Sequence, residues 1–118
     1  MPTVLTSPAI VECAGHPPKE IAEFVGRVNT DTGDVSVARM RSPAGWTEPP
    51  QTPELDEVTY VIAGTLMIEH AEGTSSVDAG SAVLVRRGER VRYFTPERCE
   101  YVAVCVPAFS PDLVHREE

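Results

Sequence analysis

GWTEPPQTPELDEVTYVIAG, residues 45–64, decides how the rest of the chain is read. Its first half carries Pro49, Pro50 and Pro53 among polar residues. Proline removes a ladder donor, so Pro43–Pro53 is expected to be a loop. The second half changes character. Glu57–Ile62 is rich in Val, Thr, Tyr and Ile and reads as a strand. Ala63-Gly64 interrupts it, and Thr65–His70 resumes a strand-like pattern at once. Two strands joined at Gly64 imply a tight turn in which a positive φ is needed.

The same alternation extends outward. Strands are expected at Val35–Met40, Glu57–Ile62, Thr65–His70, Ser75–Asp78, Ser81–Val85, Val91–Phe94 and Tyr101–Val106. Turn signals separate them: Asp31 to Asp34, Glu72-Gly73, Ala79-Gly80, Arg87-Gly88 and Thr95-Pro96. Short, evenly spaced strands imply an all-β sandwich or barrel. Ile21, Phe24 and Val25 share helical spacing behind Pro17-Pro18, so one short N-terminal helix is expected at Pro18–Phe24. The tail after Pro107 contains Pro111 and ends in charge, so its last residues are expected to be mobile.

At 118 residues the chain suits one domain, with a core barrel at about 35–107 and an N-terminal extension over 1–34. Apolar residues make up 42%, too many for a disordered chain. No apolar run approaches roughly 18 residues, so no membrane-spanning helix is expected. No basic segment leads into an apolar one at the N-terminus, so no secretory signal is read there. Cys13, Cys99 and Cys105 form no CxxC pair and read as reduced thiols of a cytoplasmic protein. The net charge of −8 disfavours nucleic acid and anionic membranes as partners. Arg86, Arg87, Arg90 and Arg92 form a basic cluster, either a solvated turn or a site for an anionic ligand.

Gly45, Glu57 and Gly64 fall on the frame G-x5-H-x-H-x3-E-x6-G, and Gly80 and Gly88 on G-x5-P-x-G-x2-H-x3-N. These are the two motifs of the cupin family. The chain resembles a small single-domain cupin, similar in outline to the ethanolamine-utilisation group. The resemblance implies a jelly-roll β-barrel, often a homodimer through N-terminal strands. It also implies a metal held by three histidines and the glutamate. Here Gln51, Pro53 and Val91 stand at the histidine positions, Arg86 at the proline position and Thr95 at the asparagine position. Proline and valine cannot coordinate, and a neutral amide is a poor ligand for a transition ion. No metal or other cofactor is therefore expected. His16, His70 and His115 lack spacing partners and read as solvated.

Alternate strand residues share a face. The family pattern turns the glutamate inward, which places Glu57, Thr59 and Val61 inside, with Val58, Tyr60 and Ile62 outside. Val91, Tyr93 and Thr95 face inward in the second motif. Gln51 adds an amide. A mostly apolar cavity with a few placed polar groups suits a small-molecule ligand. Glu57 is the first candidate for acid or base, because burial penalises the ionised form of a carboxyl group and brings it toward proton transfer near neutrality. It could equally be a structural carboxylate paired with Arg39 or Arg41. Those arginines share a strand face; if inward, they would hold an anionic substrate. Tyr93 could donate to a carbonyl or enolate oxygen, or be a core aromatic. Trp46 could cover the ligand or anchor the loop. Glu48, Glu54 and Asp56 read as a solvated acidic loop.

Three functions are consistent with this: a metal-independent acid–base enzyme of isomerase, cyclase or lyase type; a binding or sensing module without turnover; and a metal-dependent cupin with atypical ligands.

Overall fold

A computed structural model describes residues 1–118. Ten strands run in chain order: β1 Ala9–Val11, β2 Glu20–Val25, β3 Ser36–Ser42, β4 Trp46–Thr47, β5 Asp56–Ala63, β6 Thr65–His70, β7 Gly73–Asp78, β8 Ala82–Val85, β9 Arg92–Thr95 and β10 Cys99–Val106. A single helical turn, α1 Pro111–Val114, follows. The strands form two antiparallel sheets, ordered β1-β2-β3-β10-β5-β8 and β4-β9-β6-β7. This is the all-β barrel expected from the strand spacing, in the jelly-roll form that the resemblance implies.

The β5–β6 turn rests on Gly64, whose φ is +81°. A Cβ there would run into the carbonyl oxygen of Arg98. Opposite it, the pairing of β5 with β10 slips between Glu100 and Tyr101, a bulge that bends the larger sheet over its partner. One end of the space between the sheets is filled by Trp46, Val61, Leu66, Ile68, Val85 and Val91 with their neighbours. The other end is left hollow.

Two expectations are corrected. Pro18–Phe24 is not a helix; Glu20–Val25 is strand β2, paired with β3 from Glu20 opposite Arg41 to Val25 opposite Val37, with a register shift between Glu23 and Val25. A seven-residue helix has too few internal hydrogen bonds to offset its nucleation, whereas the β3 edge supplies partners for the same backbone. Residues 1–34 thus add β1 and β2 to the larger sheet. Nor is the tail loose. The Thr52 amide donates to the Val114 carbonyl at 2.9 Å, Glu54 to Leu113 at 2.7 Å and Glu117 to Pro50 at 2.8 Å. Val114 packs with Leu55 and Cys105.

Candidate active site

The hollow end is a cavity of about 380 Å³. Its floor is the inner face of the larger sheet. Pleating turns Ser36, Ala38 and Met40 of β3 inward, with Glu57 and Thr59 of β5 and Tyr101, Ala103 and Cys105 of β10. Tyr93 reaches it from β9, Glu48 and Gln51 from the proline-rich loop, Lys19 from the segment before β2, and Arg116 from the tail.

Glu57 sits in a fixed setting. The Tyr93 hydroxyl donates to Glu57 Oε1 at 2.9 Å, and the Cys105 thiol to Oε2 at 3.5 Å. Burial first, and then the Glu57 charge, push the Tyr93 hydroxyl well up. The same two causes, in the same order, push up the Cys105 thiol. Both groups therefore keep their protons at neutral pH and act as donors.

A second carboxyl group shares the cavity. Glu48 was expected in a solvated loop, but it is buried, with only 6% of its surface exposed. Its loop is tied down by the Glu48 amide bonded to the Tyr93 carbonyl and by the Gln51–Val91 bridge. Burial raises its proton affinity, Lys19 and Arg116 oppose that, and Glu57 adds to it. The Arg116 guanidinium comes to 3.7 Å from Glu48 Oε2, beyond hydrogen-bond reach, and donates instead to Gln51 Oε1 at 2.9 Å. Lys19 Nζ lies 3.9 Å above the centre of the Trp46 ring and donates to the Tyr101 hydroxyl at 3.1 Å. That hydroxyl also bonds Ser42 Oγ at 3.0 Å.

The structure brings Glu57, Tyr93, Gln51 and Thr59 together on the cavity. Arg39, Arg41, Val91 and Trp46 are elsewhere. The two arginines point outward from β3, where Arg41 Nε bonds Glu100 at 2.9 Å and Arg39 Nη2 lies 3.6 Å from Glu20. The inward positions of β3 are Ser36, Ala38 and Met40. Val91 is a core residue whose backbone bonds Gln51. Trp46, at 1% exposure, is an anchor of the core whose indole donates to the Ala14 carbonyl. Three arginines of the basic cluster are already paired: Arg87 with Asp56, Arg90 with Glu117 and Arg92 with Glu69. A larger open groove of about 870 Å³ between β6–β7 and β8 contains two of those pairing arginines and His70, whose ring bonds Ser75. His115 pairs with Glu54, and the His16 backbone bridges Thr47.

Sequence reasoning missed Lys19, Glu48, Tyr101, Cys105 and Arg116. For Tyr101 and Cys105 a signal existed, since both fall on the inward phase of β10. The other three stand on segments without periodicity.

A profile described as ethanolamine utilisation protein EutQ matches residues 40–110. The endoribonuclease YbeY of Myxococcus xanthus is 48% identical over 101 residues, 84% of this chain, but the chain spans only 34% of that longer protein. Among solved structures, the Clostridium difficile EutQ protein superposes with a TM-score of 0.66 at 21% identity, over 77% of this chain and 64% of that one. The polyketide cyclase RemF of Streptomyces resistomycificus superposes at 0.76 and 17% identity, over 100% of this chain and 86% of that one. At such identities the structural likeness bears on the fold.

Proposed function

The chain belongs to the EutQ family and carries its cupin barrel, and from that premise we propose that it is an enzyme performing acid–base chemistry on a small polar metabolite inside the barrel. The observation that carries this reading is the hydrogen-bonded Glu57–Tyr93 pair facing a second buried carboxyl, Glu48, in one cavity. Two carboxyl groups in different settings suit the two halves of a proton transfer. Glu57, oriented by Tyr93 and Cys105, takes a proton from carbon next to a carbonyl. With substrate bound, the Tyr93 hydroxyl turns its single proton from Glu57 to the carbonyl oxygen and polarises it as negative charge develops there. Glu48, its proton affinity raised by burial, returns a proton to a second atom of the substrate. The sum is an isomerisation; where the second atom is a hydroxyl oxygen, water leaves instead. Lys19 and Arg116 replace Arg39 and Arg41 as the cations able to hold an anionic group of the ligand.

The residues do not fit the metal that the fold family implies. Of the four positions, Pro53 and Val91 offer no donor atom, and the oxygen of Gln51 already accepts from Arg116. No three His, Cys, Asp or Glu side chains converge as a ligand set. Arg116 would also place a cation beside the incoming ion. The endoribonuclease activity named for the Myxococcus relative is not extended to this chain, because a net charge of −8 works against binding a phosphate backbone.

The test is to incubate chelator-treated protein with a pooled extract of small metabolites and follow masses over time. A metabolite that is converted, and conversion that falls by about a hundredfold or more in Glu57→Gln, is expected from the usual size of general acid–base catalysis. Conversion untouched by that substitution removes Glu57 from the mechanism. A metabolite that raises the melting temperature but is never consumed makes the protein a binding module. One metal ion per untreated chain, lost in Glu57→Ala, overturns the metal-independent reading.

A further inference from the structure

Of the chain's 10 basic side chains, Lys19 is the only lysine; every other is an arginine. That lysine lines the cavity. The two residue types differ in what they can do there. A guanidinium keeps its proton and only binds, whereas an amine can release a proton and attack a carbonyl carbon. The amine is also held in place. Its Nζ sits 3.9 Å above the centre of the Trp46 ring and donates to the Tyr101 hydroxyl at 3.1 Å. Tyr101 is itself buried and tied to Ser42.

Two further groups of the cavity have hydrogen-bonding capacity to spare. Glu48 is 6% exposed, yet its carboxyl group accepts no hydrogen bond, and the Arg116 guanidinium stops 3.7 Å from it. Lys19 is the foremost of the cations that act on it. Arg116 uses Nη2 on Gln51 and leaves Nε buried without a partner. Buried polar groups are ordinarily satisfied, so an unpaired carboxyl and an unpaired N–H in one cavity point to a ligand that pairs with both.

We propose that Lys19 captures an oxo acid covalently, as an imine, with Glu48 carrying the proton and the Arg116 guanidinium holding the carboxylate. This narrows the acid–base reading above to a substrate class, and rests on it for the part of Glu48. The Lys19 ammonium passes one proton to the Glu48 carboxylate, and burial favours Glu48 in its protonated form. The freed lone pair forms a C–N bond with the carbonyl carbon, and the C=O π pair moves to oxygen. A second proton shifts from nitrogen to that oxygen, giving a carbinolamine. Glu48 returns its proton to the carbinolamine hydroxyl, the C–O bond breaks, and water leaves as the nitrogen lone pair closes the C=N bond. Ammonium and carbonyl have become protonated imine and water, with no net proton taken up. The nitrogen is a cation again, so the indole face that holds the ammonium also holds the product.

Reductive trapping tests this on the full chain. The probes are pyruvate and 4-oxopentanoate, two oxo acids of different spacing, and the uncharged methyl ester of each, with cyanoborohydride as reductant. Peptide mass mapping reads the site, since the Met1 amine is the only other primary amine and serves as a control. Rates are divided by those of free Nα-acetyl-lysine with the same probe. Labelling of Lys19 by at least one oxo acid should exceed the free amine by about a hundredfold, the lower range of general acid–base catalysis, and Glu48→Gln should remove that excess. The acid should be preferred over its ester by about tenfold, and Arg116→Gln should abolish the preference. Circular dichroism checks both variants, and either one alone decides if the other fails to fold. Labelling of Lys19 no faster than the free amine with either acid overturns the proposal; metabolite conversion that is still lost in Glu57→Gln would then leave the acid–base reading standing without it. Accelerated labelling that persists in both variants also overturns it. Accelerated labelling that depends on Glu48, with no metabolite converted, upholds the imine and confines the failure to turnover.

Discussion

Tyr93→Phe removes one oxygen atom and keeps the ring in the core. In the wild type that oxygen donates to Glu57 Oε1 at 2.9 Å, in a site with Tyr93 only 6% exposed. A hydrogen bond to a charged group contributes about 1.5–3 kcal/mol net, more than a neutral pair does. The loss expected is about 2 kcal/mol, or roughly 8 °C in melting temperature for a domain of this size. Glu57→Gln keeps a hydrogen-bond acceptor but removes the charge, and should cost about 1 kcal/mol. In the double variant the shared bond can be lost only once. Its cost should therefore fall short of the sum of the single costs by about 1 kcal/mol. Urea denaturation followed by fluorescence supplies all three numbers, because the one tryptophan, Trp46, lies buried in the core beside the cavity. Additivity within about 0.5 kcal/mol would refute the reasoning and reduce Tyr93 to a packing residue with a chance contact.

Glu48 should make stability depend on pH in a recognisable direction. Its proton affinity in the folded chain is raised above the ordinary 4.5, chiefly by burial, so its contribution is complete below pH 4.5 and is lost as pH rises through the folded-state value. Glu48→Gln should flatten the decline above pH 4.5 by up to about 1.4 kcal/mol per pH unit, the slope for one proton. Asp56, Glu69 and Glu117, held down mainly by hydrogen bonds from Arg87, Arg92 and Arg90, act in the opposite sense and are common to both proteins. Urea midpoints at pH 5, 6, 7 and 8 (roughly one-unit steps) read the difference, and parallel curves would contradict the burial of Glu48. Gly64→Ala meets both a positive φ and the Arg98 carbonyl, so it should destabilise by at least about 2 kcal/mol, measured by the same denaturation.

What was legible in the chain was the strand ladder. The Thr65–His70 strand has the bounds that its alternation predicts, and β5 and β10 differ from theirs by a residue or two. Gly64 and the proline-rich loop before β5 were legible too, because turn chemistry is local. Glu20–Val25 was not. Ile21, Phe24 and Val25 satisfy a helical period as well as a strand, and the choice was made by β3, a partner more than ten residues away. The candidate site was half legible. Glu57 and Thr59 follow from the phase of β5, Tyr93 from that of β9, and Gln51 from its place in the motif. Lys19, Glu48 and Arg116 reach the cavity from irregular segments held by tertiary hydrogen bonds, and no pattern in the sequence encodes those.

The sequence left open which way Arg39 and Arg41 face, and the physical reason reaches further. The usual inference turns the larger apolar side chains inward. On β3 the inward residues are Ser36, Ala38 and Met40, and the small side chains of the first two leave room for a hollow. On β5 the inward pair Glu57 and Thr59 is more polar than the outward Val58, Tyr60 and Ile62. Strand β5 is thus inverted relative to an ordinary barrel wall: polar toward the enclosed space, apolar toward the outside. A cavity accounts for the first half of that inversion. The second half follows from the period of two: once Glu57 and Thr59 are turned toward the hollow, Val58, Tyr60 and Ile62 have only the outer face left.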